Sequence, residues 1–232
     1  MEGDALGAMI AARADPVAGD VFVVAQKAVS KAEGRVASLA AVEPGERARE
    51  LGARLGKDPA LVELILAESR RVVRDERVLI VETRNGLICA NAGMDSSNAG
   101  PGGEVVLLPA DPDASARRIR AELREAAGVR LAVVVTDSFG RPWRVGQTDV
   151  AIGCAGLTPL SDLRGERDRD GRELSATEVA VADEIAAAAD LTRGKADGVP
   201  VVIVRGLGDH VTEEDGPGAA ALRRAAEDDL FR

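Results

Sequence analysis

The chain has 232 residues, 46% of them hydrophobic, and a formal net charge of -9. That length allows one large domain or two small ones with a proper core, and the acidic balance argues against a sequence-independent nucleic-acid binder, which needs a basic face. With no run of about 18 uncharged apolar residues and no basic region leading into an apolar N-terminal segment, a soluble, cytoplasmic protein without membrane contact is expected. A single histidine, His210, leaves little scope for His-based metal sites or Ser-His-Asp catalysis, and it lies in a polar run that reads as a solvated loop. Cys89 and Cys154 sit in apolar, strand-like surroundings and read as free thiols.

Residues 3–13 read as a short helix with Leu6, Met9 and Ile10 on one face, ended by Pro16 and Gly19. Val21 to Val24 is an apolar strand. Gln26 to Gly34 follows, with Lys27, Ser30 and Lys31; two lysines and a serine after a buried strand suit phosphate contacts, and an ordinary basic turn is the competing reading. No Gly-x-x-x-x-Gly-Lys-Ser/Thr occurs, so nothing indicates a P-loop. Residues 44–55 and 58–74 form a helical pair, the second with Asp58 as N-cap and Pro59 at its first position. Its charged residues Glu68, Arg70, Arg71 and Arg74 make a solvated face. Residues 78–82 and 87–91 read as strands around Asn85-Gly86, a hairpin dipeptide.

A polar cluster, Asn91-Ala-Gly-Met-Asp-Ser-Ser-Asn98, precedes Ala-Gly-Pro-Gly-Gly. Its carboxylate, hydroxyls and amides are oxygen donors that suit Mg²⁺ or Mn²⁺ better than zinc; a plain Asn/Ser/Gly loop is the alternative. Residues 114–127 form an Arg-rich amphipathic helix with Asp111-Pro112-Asp113 as its start signal.

The β-branched run Leu131 to Val135 suits a strand buried on both faces. Asp137 and Ser138 stand where that strand should end, since Gly140 and Pro142 forbid simple continuation. Ligands of open α/β sheets bind at the carboxyl ends of strands, and Arg141 and Arg144 add two cations for a substrate's phosphate or carboxylates. Their competing role is an ion pair with the acidic loop at 166–170. An aspartyl-nucleophile phosphatase is the weaker enzymatic rival, since that chemistry wants a second Asp two positions on, where Phe139 stands.

Residues 165–171 read as a charged loop and 173–191 as a long Ala-rich helix. The glycine-bearing loop from Thr192 to Val199 carries Arg193 and Lys195, which could hold phosphates. A strand over 200–204 and a capping helix over 213–232 complete the chain. Strand, polar turn, helix and strand in succession are an α/β signature, with mixed sheets and helices. No internal repeat or linker divides the chain into independent modules.

Read together, Ser-Lys-Ala-Glu-Gly (30–34), Asn-Ala-Gly-Met-Asp-Ser-Ser-Asn (91–98), Thr-Asp-Ser-Phe-Gly-Arg (136–141), Val-Ala-Asp-Glu-Ile-Ala (181–186) and Asp-Gly-Val-Pro-Val-Val-Ile-Val-Arg-Gly-Leu (197–207) resemble the coenzyme F420-0:L-glutamate ligase family, in order and across most of the chain. The resemblance implies an α/β fold as an intertwined homodimer. It also implies a GTP-dependent ligase that adds L-glutamate to the carboxylate of coenzyme F420-0 or a dehydro precursor, extending a γ-linked tail. Two divalent cations, Mg²⁺ or Mn²⁺, and K⁺ are implied with it. On matching positions, Asp95 and Asp137 are the expected metal ligands and Ser138 touches the second metal. Lys31, Asn98 and the loop holding Thr192, Arg193, Gly194, Lys195, Asp197 and Gly198 are the expected GTP contacts.

The chain departs from the family pattern in two places. Relatives begin with an extra strand and a Leu-Pro loop that meets the nucleotide, and residues 1–232 are expected to lack both, as they lack a fused reductase-like domain. Relatives often carry Glu or Gln in the loop before the last strand as a second-metal ligand; here it reads Thr-Arg-Gly-Lys-Ala-Asp-Gly, so Asp197 or a water substitutes, or the site is weaker. The alternative function is a catalytically inactive subunit that binds nucleotide and metal.

Overall fold

The structure, a computed structural model, describes residues 2–95, 103–194 and 197–229. In chain order the elements are α1 (Leu6–Ala11), β1 (Val21–Ala25), α2 (Gln26–Ala32), β2 (Val36–Ser38), α3 (Glu46–Leu55), α4 (Pro59–Ala67), β3 (Ser69–Glu76), β4 (Val78–Thr83), β5 (Ile88–Ala90) and β6 (Glu104–Val106). They continue with α5 (Pro112–Ala127), β7 (Ala132–Arg141), β8 (Arg144–Ala155), β9 (Ser161–Asp162), β10 (Glu178–Val179), α6 (Val181–Arg193) and β11 (Val201–Val204). The architecture is mixed α/β, as expected. None of these helices is long and apolar enough to cross a membrane.

The chain forms two compact units: Met1–Asp4, Gln26–Asp111 and Asp137–Thr148 make the first, and Ala5–Ala25, Pro112–Thr136 and Asp149–Arg232 the second. Both boundaries of the inserted segment fall inside strands, within β7 and β8.

The second unit is built on a sheet of order β11-β1-β7-β8. β1 runs parallel to β7, from Val21 opposite Ala132 to Ala25 opposite Thr136, and antiparallel to β11. Val21 to Val24 and Leu131 to Val135 are fully buried, which explains why neither run alternates with polar residues. Val181, Ala182, Ile185 and Ala189 of α6 share one core with Val21, Val23, Ala132 and Val134.

In the first unit, β3, β4 and β5 form an antiparallel sheet, and β2 pairs with β6. Ala48 and Leu51 of α3 and Val62 and Ile65 of α4 share a core with Leu79 and Val81 of β4. Asp58 caps α4 as expected, accepting from the Ala60 amide at 2.8 Å with Pro59 in the first turn.

Several expected boundaries are corrected. The helix over 58–74 stops at Ala67, and Ser69–Glu76 is a strand. Register shifts between Ser69 and Arg71 and between Val72 and Arg74 insert extra residues against β4. Ser69, Val72 and Asp75 are therefore the less exposed positions, a spacing that imitates a helix. All four members of the expected solvated face are ion-paired: Glu68 with Arg35 at 2.6 Å, Arg70 and Arg71 with Glu82 at 4.0 and 2.7 Å, and Arg74 with Glu76 at 2.9 Å. Gln26–Ala32, read as a turn, is a helix. α6 begins at Val181 rather than 173, because Glu178 and Val179 pair with Asp162 and Ser161.

The tail from 213 is not an α-helix among its described residues but a set of short 3-10 turns. Its backbone groups bond elsewhere. Arg120, 2% exposed, donates to the carbonyls of Thr212 and Glu213 and pairs with Asp215 at 2.6 Å. The Asp113 carboxylate accepts from the amides of Cys154, Ala219 and Ala220 at 2.9, 2.7 and 3.2 Å. Replacing Asp113 by Ala strips three amides, two of them in buried bonds, of their acceptor, and a loss of about 2–4 kcal/mol is expected. Urea unfolding of the variant checks this; an unchanged midpoint would show that the carboxylate does not hold the tail.

Candidate functional site

The parallel register delivers the first polar residues together. Ala25 lies opposite Thr136, so Gln26 and Asp137, the next residues of the two strands, emerge side by side. Paired strands are roughly 4.8 Å apart. β7 does not end at Asp137; it continues to Arg141, and the reversal comes at Pro142 and Trp143. Pro142 fixes the first corner, and Trp143, at φ 65, takes the left-handed conformation at the second. Asp137 and Ser138 are thus half-buried strand residues, held by a ladder rather than a loop.

Asp95 reaches the same corner by another route. The chain leaves β5 through three consecutive left-handed residues, Asn91 (φ 52), Ala92 (φ 55) and Gly93 (φ 68). Gly93 is required there, since a Cβ would lie 2.7 Å from a Leu108 methyl. Asp95 then exchanges backbone hydrogen bonds of 3.1 and 2.9 Å with Val106. Its carboxylate meets the Lys27 ammonium at 2.6 Å, one residue beyond Gln26. Asp137 is also close enough to Cys89, on β5, to raise that thiol's pKa. Asp95, Asp137, Ser138, Lys27 and Lys31 therefore belong to one unit, with Lys27 and Lys31 one turn apart on the same face of α2.

Among the described residues, no three of His, Cys, Asp and Glu are grouped to hold a metal by themselves. The donors present are nevertheless of the right kind for a hard cation. Carboxylates and a hydroxyl supply only oxygen, and Mg²⁺ is ordinarily held by one or two carboxylates with substrate phosphates and water completing its shell. Asp95 already faces a cation in the Lys27 ammonium. Two buried acceptors nearby in sequence, Gln26 Oε1 and Asn91 Oδ1, have no hydrogen-bond partner among the described residues.

The remaining expected site residues divide. Arg141 donates to the Val145 carbonyl across the turn at 2.8 Å, and Arg141 and Arg144 are both exposed. Asn98 and Lys195 lie outside the described residues. Thr192, Arg193, Gly194, Asp197 and Gly198 belong to the second unit. Gly194 (φ 61) lies directly under Asp197, whose Oδ2 would be 2.1 Å from an added Cβ. Thr192 donates its hydroxyl to the Ala189 carbonyl at 2.9 Å. Arg193 is turned inward, 8% exposed, donating to Asp149 at 3.0 Å, Thr136 at 2.9 Å and the Val23 carbonyl at 3.2 Å. Its guanidinium is occupied by the core rather than offered to solvent. Nothing local in the sequence distinguishes this arginine from a phosphate-binding one. The signal missed was Asp149, an acid at the head of the apolar run Val150 to Ala155 of β8 that, once buried, requires a partner.

Two outcomes follow from this geometry. Replacing Arg193 by Met removes the buried ion pair to Asp149, and destabilisation by about 3–5 kcal/mol is expected in thermal or urea unfolding; an arginine serving only a ligand would leave stability unchanged. Burial, and secondarily Asp137, pushes the Cys89 thiol from its ordinary 9.0 up to about 12. The folded state therefore keeps a proton that the unfolded chain releases, so its contribution is complete below pH 9.0 and is lost as pH rises toward about 12. Stability measured across that window should fall less steeply in Cys89→Ala than in the parent chain.

The model of the F420-0:gamma-glutamyl ligase family matches residues 1–206. The chain is 48% identical over 233 residues to the coenzyme F420:L-glutamate ligase of Methanopyrus kandleri, covering 99% of this chain and 92% of that one. It is 50% identical over 220 residues to the ligase of that name from Methanothermobacter thermautotrophicus, covering 94% and 86%. The corresponding protein of Methanocaldococcus jannaschii is 43% identical over 216 residues, covering 92% and 85%. At this identity and coverage, the chain belongs to the F420-0:gamma-glutamyl ligase family.

Proposed function

We propose that this chain is a ligase that uses GTP to join L-glutamate to the carboxylate of coenzyme F420-0, or of a dehydro precursor, and that extends a γ-linked glutamate tail. The observation that carries the reading is the corner where Lys27 pairs with Asp95 beside the strand that bears Asp137, in a chain whose relatives are named for glutamate ligation to F420. A carboxylate does not accept an amine at neutral pH without activation. Transfer of the γ-phosphoryl of GTP to a carboxylate oxygen gives GDP and an acyl phosphate. Attack of the glutamate nitrogen on the acyl carbon forms the amide, expels phosphate and releases a proton.

Such a transfer needs positioning and charge neutralisation more than covalent help. Lys27 and Lys31, on one face of α2, are suited to the phosphoryl oxygens. Asp95, Asp137 and Ser138 would hold two divalent cations, Mg²⁺ or Mn²⁺, which supply neutralisation of the attacking and leaving oxygens when bound. Arg141 and Arg144, both exposed, are assigned to the precursor's phosphate or carboxylates, and Asn98 to the nucleotide. Dependence on K⁺, a homodimeric state and a cytoplasmic location belong to the same reading.

The test is turnover with GTP, L-glutamate and F420-0, followed as GDP release and glutamyl product. Asp137→Asn, which preserves shape and removes charge, should reduce turnover at least about 10²-fold, on the scale of losing a transition-state electrostatic contact, with the circular dichroism spectrum unchanged. Near-normal turnover of that variant overturns the role given to Asp137.

A further inference from the structure

The first unit contains a small cavity of about 110 Å³, bounded by Arg35, Glu68, Thr83, Arg84, Asn85, Ala92 and the run Leu108 to Ala110. At about 10–15 Å³ for each water-sized group it accommodates roughly seven to eleven of them, close to the number of non-hydrogen atoms in free glutamate. It is far smaller than the 300 Å³ or more that larger ligands occupy, so it admits neither a nucleotide nor a deazaflavin.

Its charges are arranged for a small dicarboxylic amino acid. Arg35 is fixed by two bonds, Nε to the Leu108 carbonyl at 2.9 Å and Nη2 to Glu68 at 2.6 Å, and its Nη1 has no partner among the described residues. Arg84, on the turn between β4 and β5, has a guanidinium with no hydrogen bond or ion pair among the described residues. Glu68 Oε2 is taken by Arg35, and its other oxygen faces no donor there. Two guanidiniums for two carboxylates and one carboxylate for an ammonium complement the charges of L-glutamate group for group, and a guanidinium fork matches a carboxylate in two places at once.

The cavity is also in the right place. Ala92, on its wall and 2% exposed, is three residues before Asp95. Leu108 is two residues after Val106, the backbone partner of Asp95, and two residues span at most about 7 Å. An amine held here is only two or three residues of chain from the corner where the acyl phosphate would form, and placement of the reactants is itself a large part of the rate.

We propose that this cavity binds the incoming acceptor, L-glutamate, with Arg84 and Arg35 holding its carboxylates and Glu68 its ammonium. The inference rests on the ligase reading above and adds the acceptor's site to it. A glutamyl end of the growing tail offers the same two carboxylates but an amide nitrogen in place of the ammonium, and so leaves Glu68 without a counterpart.

Two measurements on the full chain test this. In calorimetric titration without GTP, L-glutamate should bind more tightly than glutarate or N-acetyl-L-glutamate, both of which lack the ammonium; equal affinity for N-acetyl-L-glutamate would transfer the cavity to the tail and overturn the assignment. In turnover, Arg84→Ala should raise KM for glutamate about tenfold to a hundredfold, the loss of one charge-assisted bond, with KM for GTP unchanged and partial recovery in Arg84→Lys. An active parent chain with no change in KM for glutamate on Arg84→Ala would defeat the inference. A parent chain that binds glutamate but releases no GDP with F420-0 present would count against the ligase reading and not against this site.

Discussion

The parallel pairing of β1 with β7 is the constraint on which the site depends. Ala25 and Thr136 are opposite one another, and each is followed at once by polar sequence, Gln26-Lys27 at the start of α2 and Asp137-Ser138 further along β7. A slip of one residue would turn Asp137 to the opposite face of its strand, because side chains alternate with a period of two. The register is held by the fully buried runs behind it, Val21 to Val24 against Ala132 to Val135. Apolar packing along the paired runs thus sets the register with which each strand hands over to polar sequence.

Electrostatics in the first unit follow from that alignment. A chain with a net charge of -9 repels a triphosphate unless cations are local. Lys27 is held by Asp95 at 2.6 Å, with Lys31 a turn away. The left-handed run at Asn91, Ala92 and Gly93 is costly for the first two residues, at about 1–3 kcal/mol each. It directs the chain so that Asp95 faces α2 while Ala92 lines the neighbouring cavity. One strained turn thereby serves both places.

The second unit uses buried polar groups to fix segments that have little apolar character of their own. Asp113 gathers three amides, Arg120 gathers the carbonyls of 212 and 213, and Arg193 joins α6 to β1, β7 and β8. Each group makes several hydrogen bonds, which offsets the cost of burying it. These three residues explain why the tail and the end of α6 adopt conformations that local propensity does not favour.

Local pattern was enough to read the buried strands, the Asn85-Gly86 turn, the Asp58-Pro59 helix start and the polar clusters at 91–98 and 136–141, because each is written in adjacent residues: β-branched runs, a turn dipeptide, a cap, oxygen donors. It misread Ser69–Glu76, where bulges imitate helical spacing, and the tail, where Arg120 and Asp113 compete for its backbone. It also assigned Arg193 outward, since a buried partner forty-four residues away in sequence leaves no local trace. Which side chains are available for chemistry, and in what order they follow the buried strands, was determined by the sequence itself. Whether an arginine faces a ligand or the core, and which distant carboxylate meets which lysine, was decided only by tertiary structure, because those contacts depend on strand register and on competition for buried hydrogen bonds.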